Sequence, residues 1–200
     1  LESGDQKKAI KAFESLNSQY PFSKDARMGN SSLIYAYYID DNSSMTLASA
    51  ARYLRLYPNT PEAVYAYYMQ GIENYNSGRG FLQRYFPYDM SQHDPNNYQQ
   101  AYSSFNRVIS KYPNTPYAKD ARRRMVYLKN VMARYELNVA EYYYQMKAYV
   151  ASVARARGVI VNYPRTTSVK PALELMYYDY KQLNLTEYAN QINKVYQLNY

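Results

Sequence analysis

The sequence predicts an all-α, helical-repeat solenoid of about five repeats, the first of them truncated. Three observations predict it. A Tyr-Pro pair recurs four times, at Tyr20-Pro21, Tyr57-Pro58, Tyr112-Pro113 and Tyr163-Pro164. A small or aromatic packing residue, Phe13, Ala50, Phe105 or Ala156, stands eight positions before each of these Pro residues. Between the third and fourth pairs, apolar residues recur at alternating steps of three and four: Ala118, Ala121, Met125, Leu128, Met132, Tyr135, Val139, Tyr142 and Met146. That is the period of one helix face.

The elements follow in order as helices over 5–19, 23–39, 44–56, 61–76, 95–111, 116–145, 148–162, 168–182 and 185–198. Each Tyr-Pro pair ends a helix, because Pro lacks an N–H and clashes with the preceding turn. Ser23, Thr60, Thr115 and Thr166 stand two residues after each Pro, placed to accept from the free N–H groups of the next helix. Pro61 and Pro116 directly follow such Thr residues, at the first helical position, where Pro is tolerated. Ala9…Phe13 and Ala101…Phe105 complete an Ala-x-x-x-Phe…Pro arrangement. This is the pattern of the second helix of a tetratricopeptide (TPR) repeat, in which Ala permits close approach and the aromatic fills the gap.

The Pro residues of the pairs are 37, 55 and 51 apart, against about 34 for a plain TPR array. The second interval takes its excess as an insertion loop over 78–94, opened by the breaker Asn76-Ser77-Gly78-Arg79-Gly80 and closed by Asp94-Pro95. The third takes it as one long helix, 116–145, about 45 Å long at 1.5 Å per residue, which can tie two halves together. The organisation expected is N-terminal repeats over 1–113 and C-terminal repeats over 114–200. The first repeat lacks its opening helix and the chain starts at Leu1 rather than Met, so a segment upstream is expected.

Composition narrows the function classes. The 200 residues include 29 Tyr, no Trp and no Cys, which removes disulfides, thiolate nucleophiles and Cys-based metal sites. No apolar run approaches the roughly 18 residues of a membrane span, and no signal-peptide pattern is expected within these residues. The net charge is +8, with ten basic and ten acidic residues up to Ser110 and fourteen against six from Lys111 onward. A basic C-terminal part favours an acidic partner surface or anionic lipid head groups, although ordinary solubilising charge accounts for it too.

No catalytic, metal-ligating or cofactor-binding residue is expected. His93 is a lone loop histidine, with no nucleophile or orienting partner to pair with in sequence. Gly78-Arg79-Gly80 is too short for a phosphate loop and follows no strand, and Asp40-Asp41 lacks calcium-loop spacing. Arg122-Arg123-Arg124 lies between stripe residues, as a solvated helix face does, and nucleic acid is not an expected partner. Tyr35, Tyr37, Tyr38, Tyr53, Tyr65, Tyr67, Tyr68 and Tyr75 crowd the second and third repeats. Most must pack helices together, yet Tyr also suits a groove, its ring apolar and its hydroxyl wet. Arg155 and Arg157 are set among Ala151, Ala154, Ala156 and Gly158. Small neighbours leave a planar guanidinium accessible for bidentate carboxylate contact.

Several strings carry a family resemblance. Leu33-Ile34-Tyr35-Ala36-Tyr37-Tyr38 and Arg52-Tyr53-Leu54-Arg55-Leu56-Tyr57-Pro58, followed by Pro61, Tyr65, Tyr68 and Gly71, are similar to stretches of the BamD family. So are Asp94-Pro95 after an irregular insertion, and Ala140-Glu141-Tyr142-Tyr143 followed by Val150-Ala151 and Arg155. The likeness spans essentially the whole chain, and the order of these strings is more specific than any one of them. The resemblance implies a five-repeat TPR lipoprotein at the periplasmic face of the outer membrane, anchored by an N-terminal lipid whose Cys is not in this chain. It implies a scaffold of the β-barrel assembly complex that contacts the POTRA region of BamA, other lipoproteins of the complex and unfolded outer-membrane protein segments. On that reading Arg155, Arg157, Tyr142 and Arg134 form the POTRA-binding set, and Tyr35, Tyr38, Arg52, Tyr53, Tyr65 and Tyr68 line the substrate groove. The alternative is another periplasmic TPR adaptor coordinating envelope or cell-wall processes. Such adaptors share the Tyr-Pro-x-Ser/Thr repeat but have plain repeat spacing and an N-terminal coiled coil, neither of which is seen here.

Overall fold

The computed structural model describes residues 3–20, 23–77, 91 and 95–200. The insertion loop 78–94, apart from Ser91, lies outside them, and so do His93 and Pro21. Among the described residues the chain forms nine helices: α1 (Ser3–Gln19), α2 (Lys24–Ile39), α3 (Ser43–Leu56), α4 (Ala63–Asn76), α5 (Asn96–Lys111), α6 (Pro116–Gln145), α7 (Tyr149–Asn162), α8 (Val169–Gln182) and α9 (Thr186–Asn199). Each expected helix is found, with ends displaced by no more than two residues. The fold is the all-α, TPR-like helical repeat that the sequence predicts.

The Tyr-Pro turns repeat at the level of single bonds. The N–H groups of Tyr20, Tyr57, Tyr112 and Tyr163 donate to the carbonyls of Leu16, Tyr53, Val108 and Val159. Tyr57 and Tyr163 then leave the helix at nearly the same backbone angles, φ −134°, ψ 54° and φ −126°, ψ 49°, because the following Pro excludes the helical region. The hydroxyl groups diverge. Ser23 and Thr115 accept from the backbone N–H groups of Ala26 and Ala118, as caps. Thr60, Thr115 and Thr166 each donate to the carbonyl of the Tyr three residues earlier, but Thr60 and Thr166 do not also cap. The difference is positional: α2 and α6 begin at the residue after Ser23 and Thr115, whereas α4 and α8 begin three residues after Thr60 and Thr166.

The α2–α3, α6–α7 and α8–α9 turns share another device. Asp41, Lys147 and Asn184 adopt positive φ, 54°, 59° and 60°. The next N–H, of Asn42, Ala148 and Leu185, reaches back to the carbonyl of Tyr37, Tyr143 and Tyr180. This is the six-to-one bond of a Schellman C-cap.

The chain divides into two compact units, 1–79 with 96–125 and 80–95 with 126–200, so the division falls inside α6. In the first unit α1 packs on α2, α2 on α3, α3 on α4 and α4 on α5. Ile34, Ala50, Tyr53, Ala63, Ala66 and Met69 form its central cluster, with Ile10, Leu33, Ala36 and Tyr37 beside α1. Gly71 sets the α4–α5 distance. A Cβ at that position would lie 2.4 Å from the Phe105 ring, so only Gly lets the repeat's packing aromatic seat fully.

In the second unit α7 packs on α8 and α8 on α9. Ala133, Leu137 and Ala140 of α6 join Ala156, Val159, Ala172 and Met176 in one cluster. The apolar stripe of α6 is buried at Ala118, Ala121, Leu128 and Met132, but its far members Tyr142 and Met146 are 58% and 63% exposed. A stripe averaging 3.5 residues per turn drifts by about 20° per heptad around a 3.6-residue helix. By the last turns it has left the face that small Ala133 and Ala140 press against α7 and α8.

Candidate functional site

The first unit holds a cleft of about 590 Å³ whose walls come from four helices and one turn. Phe13 of α1, Ser31, Ser32 and Tyr35 of α2, Pro61 and Glu62 of the turn, Val64 and Tyr65 of α4, and Tyr117 of α6 line it. Periodicity explains the convergence. Ser31/Ser32 and Tyr35 lie one turn apart on α2, as do Pro61 and Tyr65 across the start of α4, and residues three or four apart share a face.

Rings and hydroxyls meet at Tyr65. Its ring centroid is 5.9 Å from that of Tyr117, and Tyr117 is 5.0 Å from Tyr68, both pairs tilted. Burial drives the Tyr65 hydroxyl far above its ordinary pKa, and the neighbouring hydroxyls of Tyr117, Tyr35, Tyr38 and Tyr68 add to that. It stays a neutral donor at any physiological pH. Tyr68 is anchored from the other side, donating to Asp120 Oδ2 at 2.7 Å. Its pKa is pushed up to about 12 by burial and then by that bond. Burial works to raise the Asp120 pKa, but hydrogen bonds from Arg124 and Tyr68 outweigh it and the net shift is downward. Arg124 in turn lies 5.0 Å from the Tyr75 ring centroid, a cation–π distance.

Of the six expected groove residues, Tyr35 and Tyr65 line the cleft, and Tyr38 and Tyr68 lie beside them as neighbours of Tyr65 and Tyr117. Tyr53 and Arg52 do neither. The Tyr53 ring is fully buried in the α2–α3–α4 cluster, its hydroxyl 3.0 Å from Thr60 Oγ1, so it supports the wall from behind. Arg52, one residue earlier on α3, faces a different recess, beside Glu14, Asn17 and Tyr37. Tyr37 donates to Glu14 at 2.5 Å in that recess. Tyr117 was legible only as a residue after a helix start, since its role depends on α6 returning beside α4.

The second unit holds the residues expected to dock a partner. Arg155 of α7 donates from Nη1 to Glu136 Oε2 of α6 at 3.1 Å, with side chains 46% and 22% exposed. The hydrogen bond and charge of Glu136 raise the Arg155 pKa further. Arg134 pairs more loosely with Glu141 at 3.6 Å. Tyr142 is exposed and meets Tyr143 edge-on at 5.9 Å. Arg157 is exposed but two residues from Arg155, and helix positions two apart do not share a face. The structure therefore sets Arg155 and Arg157 on different sides of α7. The charge division also shifts. The first unit carries fourteen basic and nine acidic residues and the second ten and seven, because Lys111, Lys119 and Arg122–Arg124 fall in the first unit.

Among the described residues no cluster of His, Cys, Asp and Glu is placed to hold a metal ion. Among the same residues, no helix is long and apolar enough to cross a membrane.

Paired helices closed by Tyr-Pro turns, with an aromatic cleft on one unit and a half-exposed arginine on the other, define a TPR-like scaffold. The YfiO family model, described as outer membrane lipoprotein, matches residues 1–195. The chain is 35% identical over 199 residues to the outer membrane protein assembly factor BamD of Vibrio cholerae, covering 100% of this chain and 83% of the relative. It is 34% identical over 200 residues to BamD of Neisseria gonorrhoeae and 32% identical over 199 to BamD of Pasteurella multocida, spanning 75% and 76% of those proteins. The chain belongs to the YfiO/BamD family.

Proposed function

We propose that this protein is a non-catalytic scaffold of outer-membrane β-barrel assembly, held at the periplasmic face of the outer membrane by a lipid on an upstream segment. The relatives' name, outer membrane protein assembly factor, supports that role. The observation that carries the residue-level reading is the convergence of Tyr35, Tyr65 and Tyr117 on one cleft, with Tyr38 and Tyr68 beside them as neighbours of Tyr65. An unfolded β-strand segment presents aromatic side chains and unpaired main-chain groups. A cleft with aromatic walls and a rim of hydroxyls meets both needs.

The second unit docks the POTRA region of BamA, with Arg155 at the contact. Its guanidinium spends one donor on Glu136 and keeps others of its five for a partner carboxylate. Arg134 and Tyr142 extend that contact along α6, and other lipoproteins of the complex join it. The test is binding of the protein to the membrane-proximal POTRA domains of its cognate BamA at low and physiological salt. Binding that weakens with salt, and again in Arg155→Glu, is the expected result. A folded sample without affinity for POTRA would remove the docking half of this reading.

A further inference from the structure

Glu62 lines the aromatic cleft, yet its carboxylate is committed to nothing there. It stands just before α4 at the cap position, but its side chain makes no capping bond. Its Oε1 lies 3.7 Å from Arg27 Nη2, beyond hydrogen-bonding distance. Its Oε2 is buried with no hydrogen-bond partner, and so is Arg27 Nε. An ionised carboxylate offers about four acceptor sites and no donor, so Glu62 holds spare acceptor capacity beside apolar walls.

The ligand side of the cleft has the opposite need. A residue whose ring enters between Tyr35, Tyr65 and Tyr117 carries its own main-chain N–H toward the rim, and that donor loses water. Left unmet, it carries the full desolvation cost of a buried donor. Ser31 and Ser32 at the rim are donors as well as acceptors. Glu62 is the acceptor-only group, and at 36% side-chain exposure it has room to turn Oε2 outward.

We infer that Glu62 accepts the main-chain N–H of the ligand residue whose aromatic ring fills the cleft, with Arg27 as the positioning residue that keeps the carboxylate at the rim. This rests on the aromatic-cleft reading above. It makes the site a reader of extended peptide as well as of an aromatic side chain, and it disfavours segments with an acidic residue next to the ring.

The probe is an acetylated, amidated pentapeptide of Gly and Thr with one central Phe, free of charge and of a terminal carboxylate. Its binding to the whole chain is followed by amide chemical shifts. A second peptide carries an N-methyl group on the Phe nitrogen, and a third has Ala for Phe. The expected result is that wild type prefers Phe to Ala and loses roughly tenfold on N-methylation, as one hydrogen bond to a charged group implies. Glu62→Ala binds the Phe peptide about as weakly as wild type binds the methylated one, and methylation then costs it nothing more. Full sensitivity to methylation in Glu62→Ala, with the Phe preference kept, overturns the role of Glu62 and leaves the cleft reading standing. No preference for Phe over Ala in wild type overturns both.

Discussion

Arg155 and Glu136 bind each other across the α6–α7 contact, Nη1 to Oε2 at 3.1 Å. The pair is half exposed on the Arg side, so its contribution to folding is under about 1 kcal/mol. Its consequence is for docking, because Glu136 occupies a guanidinium that a partner carboxylate would also use. Glu136→Gln is expected to leave stability nearly unchanged and to raise POTRA affinity severalfold, while Arg155→Glu lowers it tenfold or more. Titration calorimetry of both variants checks this. Equal weakening by both would make Glu136 an orienting partner of Arg155 rather than a competitor.

Asp179 supplies a pH dependence. Both its carboxylate oxygens are buried without a hydrogen-bond partner, as is the Ser152 hydroxyl. Burial pushes its pKa up to about 6, above the usual carboxylate range. The folded state therefore holds this proton where the unfolded chain has released it. The contribution is fully present below the unfolded value and is lost as pH rises through about 6. Asp179→Asn is expected to abolish that fall and to stabilise the protein at pH 7.5 by up to ~3 kcal/mol, two pKa units at 1.36 each. Urea melts of both proteins at pH 4.5 and 7.5 measure it, and parallel shifts in the two would refute the assignment.

The α4–α5 contact tolerates no side chain at Gly71. A Cβ there meets the Phe105 ring at 2.4 Å, and a ring fixed in a packed core has little freedom to yield. Overpacking costs about 1–3 kcal/mol, partly offset by the roughly 1 kcal/mol of helix propensity that Ala adds over Gly. Gly71→Ala is expected to lower the urea midpoint, and Phe105→Leu in the same chain to recover part of the loss. A non-additive double-mutant cycle is the signature of direct contact.

The helices were legible because Tyr-Pro punctuation and the 3.6-residue period are local signals. What escaped depends on partners distant in sequence or on unusual backbone. Asp41, Lys147 and Asn184 occupy the left-handed caps where Gly is usual, so no composition cue marked those turns. Glu136 is unremarkable until α7 folds back and brings Arg155 to it. Tyr35, Tyr65 and Tyr68 could be picked out as candidates by their crowding, but the same crowding included Tyr53, which the core takes entirely. Adjacent residues on one helix, such as Arg52 and Tyr53, face about 100° apart, so a cluster in sequence is never wholly a cluster in space.

Tyr117 tests the cleft most directly. It stacks at an angle on both Tyr65 and Tyr68 and forms the wall contributed by α6. Each aromatic pair is worth about 0.5–1.5 kcal/mol beyond area burial, so Tyr117→Ala is expected to destabilise the first unit by about 1–3 kcal/mol. At a temperature where it remains folded, its affinity for aromatic-bearing peptides should fall roughly tenfold, the equivalent of about 1.4 kcal/mol. Tyr142→Ala, an exposed ring on the second unit, should leave that affinity unchanged while weakening POTRA binding. The two variants are measured side by side against both ligands. If Tyr117→Ala instead spared peptide binding and impaired docking, the assignment of the cleft to substrate and of the second unit to the partner would be reversed.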